Sequence, residues 1–394
     1  MSASENRIGD FLSAHGGPFY DLQLRLRMLR ENALNAGPRA LAFIALAWGV
    51  PLLFTLIAGK ATGPFAERPY LLDIGVWARF VVAIAAFTLA EGRVEQQLRQ
   101  TLRQFTLAPL LAPTSFEPAA RAVAASLKLR DSRVAEAVCV ALAIALSLLS
   151  LFNVIHNGGH SWALNVGPDG SALTLAGWWC LLFSNPFFFF LLLRGLWRHF
   201  VWSMLLRWIA ALELRLVTTH PDGSGGLAFV GRYPNAFALF IFGLSCVVAA
   251  GLAHQLLQET LTVTAFGYVM GLWLIIVLAA FAFPLLAFTK PLAALKQSTL
   301  LLSSAKGTQF QRQAERKLLG ANVAAADPAE AAELQDVTDP AKQFDATRKM
   351  STLLLDRSAL IPLGGAALLP LLAAGATQMP YKELLSVCKK LLLL

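Results

Sequence analysis

The stretch VTAFGYVMGLWLIIVLAAFAFPLLAFT, residues 263–289, decides the fold class because it runs for 27 residues without a charged side chain. About 20 apolar residues are enough for a helix to cross the hydrocarbon core of a bilayer. The whole chain has a similar character, since 56% of its residues are hydrophobic and 14% are charged, against roughly a quarter charged in soluble domains. The sequence therefore predicts an all-α polytopic membrane protein with six or seven transmembrane helices.

Six apolar segments fit this length, and a seventh is ambiguous. The seventh, residues 358–376, carries no charge but contains Pro362 and Pro370, so it either crosses the membrane or re-enters it. We favour a crossing. Long helical patterns continue beyond spans two and four, and we expect these long helices to project into the cytoplasm. The six spans are predicted at residues 38–59, 70–90, 134–155, 173–193, 236–257 and 263–289.

The spans divide the chain into alternating membrane and cytoplasmic regions. The membrane regions are residues 37–90, 134–193 and 236–289, followed by the seventh segment with an interfacial tail at 358–394. The cytoplasmic regions are a juxtamembrane segment at 1–36, a helical region at 91–133, a helix extension with a glycine-rich turn at 194–235, and a partly mobile stretch at 290–357. The juxtamembrane segment is predicted to be an amphipathic helix on anionic headgroups, from the helical spacing of Phe19, Leu22, Leu26 and Leu29 beside arginines.

The basic residues indicate topology rather than nucleic-acid binding. The net charge is +9, but lysines and arginines are concentrated between spans two and three, between spans four and five, and after span six. Short loops rich in basic residues face the cytoplasm. We therefore expect a cytoplasmic N-terminus, a bacterial inner membrane location, contacts with anionic headgroups, and no nucleic-acid partner.

Arg79 is the residue most indicative of function. A guanidinium two turns inside a span costs several kcal/mol unless it is paired or hydrated, and such residues usually face the bundle interior. Asp73 lies about 240° around the same helix, so it is poorly placed to pair with Arg79. The expected partner is Glu91, Glu136 or a carbonyl of another span. The alternative is a structural arginine that snorkels or fixes a helix contact.

Span four supplies the other candidate residues. Asn185 and Pro186 interrupt its apolar core, which predicts a bend that either bares a carbonyl toward a cavity or is an ordinary kink. Arg194 and Arg198 lie one turn apart at its cytoplasmic end, as an anion vestibule would require. The simpler interpretation is that these two arginines snorkel to lipid phosphates.

The sequence HPDGSGG, residues 220–226, admits three interpretations. His220 and Asp222 suggest a metal pair, and the successive glycine amides suggest an anion cradle. Neither has its usual context, because no strand precedes the loop and no second ligand cluster is present. We favour a helix stop and chain reversal before span five.

Two functions fit these patterns. The first is an oligomeric channel or transporter, for anions or lipid-phosphate-like solutes, whose path passes Arg79, Asn185, Arg194 and Arg198, with Asp73 and Glu91 in the same polar network. The second is a non-conducting scaffold, sensor or regulatory protein that docks a cytoplasmic partner. No nucleophile, acid–base or metalloprotease motif favours an enzyme. We predict no cofactor and no metal site, because the four cysteines lie in apolar surroundings without ligand spacing.

Overall fold

A computed structural model describes residues 8, 11–29, 34–64, 68–157, 161–167, 170–257, 262–325, 338–355 and 357–377. Seven helices in this part of the chain are long and apolar enough to cross a membrane, so the chain is an integral membrane protein and the predicted all-α polytopic fold is confirmed. The predicted interfacial tail and most of the acidic insert after residue 325 lie outside the described residues.

The chain forms eleven described helices and one hairpin. The first group is α1 (Pro18–Arg25), α2 (Ala36–Ile57), α3 (Ile74–Leu107), α4 (Phe116–Arg130) and α5 (Arg133–Asn157). The hairpin strands are β1 (Leu164–Gly167) and β2 (Gly170–Leu173), and α6 (Leu175–Ala210) follows. After a 3-10 segment at Ala228–Phe237 come α7 (Ala238–Leu257), α8 (Val263–Leu285), α9 (Thr289–Leu319), α10 (Ala341–Lys349) and α11 (Arg357–Ala376).

Helices α3 and α6 run in the same direction and contact each other. Both exceed the membrane thickness, since 34 and 36 residues correspond to roughly 50 Å at 1.5 Å per residue. The predicted long extensions beyond spans two and four are thus present. We call the end of the bundle where α3 and α6 finish the basic end, because most arginines and lysines of the described connections lie there. The other end is the opposite end.

Three of the described spans contain a π-helical turn, and the turn of α2 contacts the other two. They are Ala45–Gly49 in α2, Trp77–Ala83 in α3 and Cys180–Ser184 in α6. Proline explains the first, because Pro51 has no N–H to donate to the carbonyl of Ala47. That carbonyl instead accepts the Ser184 hydroxyl at 2.7 Å. The predicted interruption at Asn185 coincides with the π turn of α6, and at Pro51 a neighbouring helix satisfies the freed backbone.

The seventh segment is one continuous helix and not a re-entrant hairpin. α11 packs along α7 and α8. Ser358 accepts a hydrogen bond from Asn235 at the basic end, whereas Leu371 shares a buried cluster with Leu256 and Phe266 at the opposite end. Its 20 residues extend about 30 Å, enough to cross the hydrocarbon. This geometry supports the crossing favoured from the sequence.

The N-terminal region differs from the predicted surface helix. Helix α1 has only eight residues, and Leu22 and Leu26 are exposed while Tyr20 and Gln23 are buried. The preceding residues enter the bundle, where Phe11 is 1% exposed. The amphipathic pattern correctly indicated a helix but not its attachment, because many of the contacts that bind this region are made by its backbone.

A topology reporter tests the path of α11. Fusions truncated after Leu319 and after Thr377 should report opposite sides of the membrane, because the first ends at the basic end and the second follows a crossing helix. Activity of alkaline phosphatase and fluorescence of green fluorescent protein at each site provide the measurement. If both fusions report the same side, α11 does not cross.

Candidate functional site

Buried charges at the basic end converge on the carboxylate of Glu91. Its Oε2 accepts from Arg39 at 2.5 Å, and its Oε1 accepts from Arg194 at 3.0 Å and Arg198 at 2.9 Å. Arg39 comes from α2 and the other two arginines from α6, so one carboxylate of α3 connects three helices. The side chains of Arg39 and Arg194 are 2% and 5% exposed. Removing one partner of an ion pair this well buried lowers the stability of a protein by several kcal/mol.

Glu136 extends this group of charges to a fourth helix. Its Oε1 accepts from Arg194 Nε at 3.1 Å, and its Oε2 accepts the backbone N–H of Phe19 at 2.8 Å. We call Arg39, Glu91, Glu136, Arg194 and Arg198 the ion cluster. The interpretation of Arg194 and Arg198 as snorkelling residues is wrong, because they point into the bundle and bind carboxylates. They are also not an open anion vestibule, since Glu91 binds both.

A second polar site lies at the π turns, where Arg79 meets span four. Arg79 Nη1 donates to Asn185 Oδ1 at 3.3 Å, and Arg79 Nε donates to the carbonyl of Gly75 at 3.1 Å. Of the three expected partners, Glu91 and Glu136 are wrong, because those carboxylates bind the arginines of the ion cluster. The partner is the amide carbonyl oxygen of Asn185, which fits the third alternative, a carbonyl of another span. Among the described residues, Nη2 has no hydrogen-bond partner. The half-buried guanidinium therefore keeps donors for a further group.

Asp73 lies beside Arg79 without forming an ion pair, as predicted. Its Oδ1 caps the helix by accepting Val76 N–H at 3.2 Å, and its Oδ2 accepts Trp162 Nε1 at 3.0 Å. A β-carbon on Gly75 would lie 3.1 Å from Asp73 Oδ1 and 3.4 Å from Arg79 Nη2. Glycine at this position thus leaves space between the two charged groups. We call Asp73, Arg79 and Asn185 the arginine site.

A layer of phenylalanines separates the arginine site from the ion cluster. Phe87 lies 4.5 Å from Phe240 and 6.0 Å from Phe188 between ring centroids. The three rings come from α3, α6 and α7, and all are buried. Arg79 and Glu91 are twelve residues apart, or roughly 18 Å along α3. Phe188 thus packs inside the bundle and does not face lipid.

A small cavity lies between the phenylalanine layer and the ion cluster. Its volume is about 50 Å³, which is room for a few water molecules at 10–15 Å³ each on this measure. Phe87 and Phe240 border one side, while Glu91 and Arg198 supply charge on the other. Ser13 and Ala14 of the N-terminal region also line it. The cavity therefore joins apolar and charged surfaces inside the bundle.

The sequence did not reveal every residue of these sites. Arg39 was included in the first span without a role, although an arginine inside a predicted span is itself a sign of a buried partner. Glu95 was also given no role, but it accepts Ala14 N–H at 2.7 Å and contacts His15 at 2.8 Å. No periodic signal marks these partners, because the paired residues lie 52 to 81 positions apart in the chain.

The HPDGSGG loop is a helix stop whose anion position is taken by its own aspartate. Asp222 accepts backbone N–H groups from Ser224, Gly226 and Ala228 at 2.9–3.1 Å. Burial of this carboxylate opposes its ionisation, but the three N–H donors and His220 together hold the pKa of Asp222 below its usual value. The Asp222 carboxylate thus occupies the position that an external anion would take in the predicted cradle. Within the described residues, no group of three ligands is placed to bind a metal.

Comparisons of this chain with protein-family models, with curated proteins and with solved structures found no match. The function therefore has to be argued from the arginine site, the phenylalanine layer and the ion cluster themselves.

Replacing Glu91 tests the ion cluster. Glu91→Gln should destabilise the protein by about 3–5 kcal/mol, because it leaves three buried arginines with Glu136 as their only carboxylate in the cluster. Thermal unfolding in detergent measures the loss, and Glu117→Gln on the exposed face of α4 is the matched control. The double variant Arg39→Gln/Glu91→Gln should be less destabilised than Glu91→Gln. A melting temperature of Glu91→Gln equal to that of the wild type would refute this account.

The lowered pKa of Asp222 predicts a pH dependence. Its ionised form is favoured in the folded protein, so its contribution is complete above the unfolded pKa of about 3.9 and is lost as pH falls through the folded pKa. Melting temperatures of His220→Asn and His220→Asn/Asp222→Asn should differ by a constant amount from pH 7 to about pH 5 and converge below about pH 4. The shared substitution removes the neighbouring imidazole. A difference that widens in acid contradicts the assignment.

Proposed function

We propose that the protein transports a small anion, which binds at Arg79 on its way through the bundle. The observation that carries this proposal is the Arg79 guanidinium, which is held at Nε and Nη1 and keeps Nη2 unused among the described residues. A charged side chain within a span is costly and is usually retained for binding or translocation. A planar guanidinium with free N–H groups binds carboxylate or inorganic oxyanions well.

Broken helices support a binding site at this position. Transporters commonly bind solutes where helices of the bundle are interrupted, because the irregular backbone there has polar groups. Here three π turns meet, and Arg79 lies within one while Asn185 directly follows another. π turns recur at functional sites in other proteins. The nearby Asp73 carboxylate disfavours highly charged anions, so a monovalent anion is the better match.

The rest of the path is closed in this conformation. The phenylalanine layer separates the arginine site from the 50 Å³ cavity, and such apolar layers act as gates in other pores. The ion cluster then lines the exit at the basic end, which we assign to the cytoplasm by its excess of arginine and lysine. We also propose that its exposed basic residues contact anionic headgroups of a bacterial inner membrane.

Flux through reconstituted vesicles tests the role of Arg79. Chloride, acetate and inorganic phosphate serve as probes, with ion-selective electrodes for chloride and isotopes for the others. Arg79→Gln should lower flux of the preferred anion at least tenfold, because a charge-assisted contact is lost. Arg79→Lys should retain part of it, and Arg121→Gln, at an exposed position of α4, should match the wild type. Equal flux in a folded Arg79→Gln protein rules out the proposal.

A docking protein is the second candidate, and exposed apolar side chains on α9 favour it. Leu301 and Leu302 on this 31-residue helix are 67% and 68% exposed, and unpaired apolar side chains often mark a partner surface. Replacement of Leu301 and Leu302 by Gln separates the two functions. Anion flux should survive these replacements if the protein is a transporter, whereas a docking protein would lose binding of its partner.

A further inference from the structure

The chain segment before α1 closes the cavity at the basic end. Phe11, Ser13 and Ala14 are 1%, 5% and 3% exposed, and the last two line the cavity beside Glu91 and Arg198. We call residues 11–17 the N-terminal plug. Anything leaving the cavity toward the side on which the plug lies would have to pass it.

Charged side chains from four helices bind the backbone at and beside the plug. Glu95 of α3 accepts Ala14 N–H, Glu136 of α5 accepts Phe19 N–H, and Arg198 of α6 donates to the carbonyl of Ala14 at 2.9 Å. Arg130 of α4 donates to the carbonyl of Leu12. These hydrogen bonds are made to backbone N–H and carbonyl groups, so they require few particular side chains in the plug.

Close approach of the plug to these helices depends on its two glycines. Gly16 and Gly17 have φ angles of 99° and 90°, which favour glycine. A β-carbon on Gly16 would lie 2.2 Å from Asp131 Oδ1, and one on Gly17 would lie 2.8 Å from Glu136 Oε1. The backbone therefore reaches carboxylates that a side chain would keep away.

The contacts between the plug and the four helices can break without leaving a buried charge unpaired. Arg198 keeps its ion pair with Glu91, and Arg130 keeps Asp131 at 2.7 Å. Glu95 borders a cleft of about 480 Å³ that also includes Arg99 and Arg103, so water can replace its plug contacts. The buried side chain of Phe11, whose ring lies 5.7 Å from that of Trp202, favours the closed position at rest.

We propose that the N-terminal plug is a gate, which closes the transport path at the basic end and leaves the cavity when the path opens. This inference rests on the proposed transport function and concerns how transport is regulated. The plug is part of the same chain, so its effective concentration at the cavity is high and closure needs no partner. Opening requires the loss of the contacts that Glu95, Arg130 and Arg198 make with its backbone and of the packing of Phe11 on Trp202.

Two variants loosen the plug from opposite sides. Glu95→Gln removes the charge that binds Ala14 N–H, and Ala14→Pro removes the N–H itself while leaving every bundle residue intact. Arg93→Gln, exposed on the same helix as Glu95, is the matched control. Each protein carries Ser13→Cys as a reporter, and a protein without it gives the background from native cysteines.

Labelling of Ser13→Cys by a membrane-impermeant maleimide and chloride flux in vesicles are measured together. We expect labelling to rise roughly tenfold in Glu95→Gln and Ala14→Pro, as the loss of one charge-assisted hydrogen bond implies, with flux rising in parallel and Arg93→Gln unchanged. Unchanged labelling in both variants, or raised labelling without raised flux, overturns the gate. The transport function fails separately, if flux does not depend on Arg79.

Discussion

Compensation of charge inside an apolar bundle is the constraint on which the structure depends. Glu91 binds Arg39, Arg194 and Arg198, and removing any of them leaves a charge that neither hydrocarbon nor packed side chains can solvate. Because the partners come from α2, α3 and α6, these ion pairs fix the relative depth of three spans. Helix–helix association in membranes lacks a hydrophobic driving force of its own, so such polar contacts determine how the helices fit together.

The same constraint separates the two polar sites by their chemistry. In the ion cluster, every arginine has a carboxylate partner, which suits a structural role. At the arginine site, Asn185 supplies only a neutral oxygen to Arg79, and Asp73 is engaged by Val76 and Trp162. The phenylalanine layer keeps these environments apart. The bundle thus has one site whose charges are compensated by ion pairs and one whose arginine is hydrogen-bonded only to neutral groups.

The fold could be predicted from composition because long charge-free segments have few alternatives to membrane helices. The seven spans, the interruptions at Pro51 and Asn185 and the helix stop at Asp222 all follow from local chemistry. Pairings could not be predicted in this way, since Arg79 meets a residue 106 positions later and Ala14 meets Glu95. The N-terminal plug was missed because its binding uses backbone groups, which every sequence has and no sequence pattern marks.

Direct detection of an anion at Arg79 tests the central claim. Crystals of the protein in lipid, soaked in bromide, can be examined for anomalous scattering in the wild type and in Arg79→Gln. The account predicts a bromide within hydrogen-bond distance of Arg79 Nη2 that is absent from the variant, with Asn185 still in place. An Arg79 side chain that instead donates Nη2 to a lipid phosphate, with no bromide in the bundle, would contradict it.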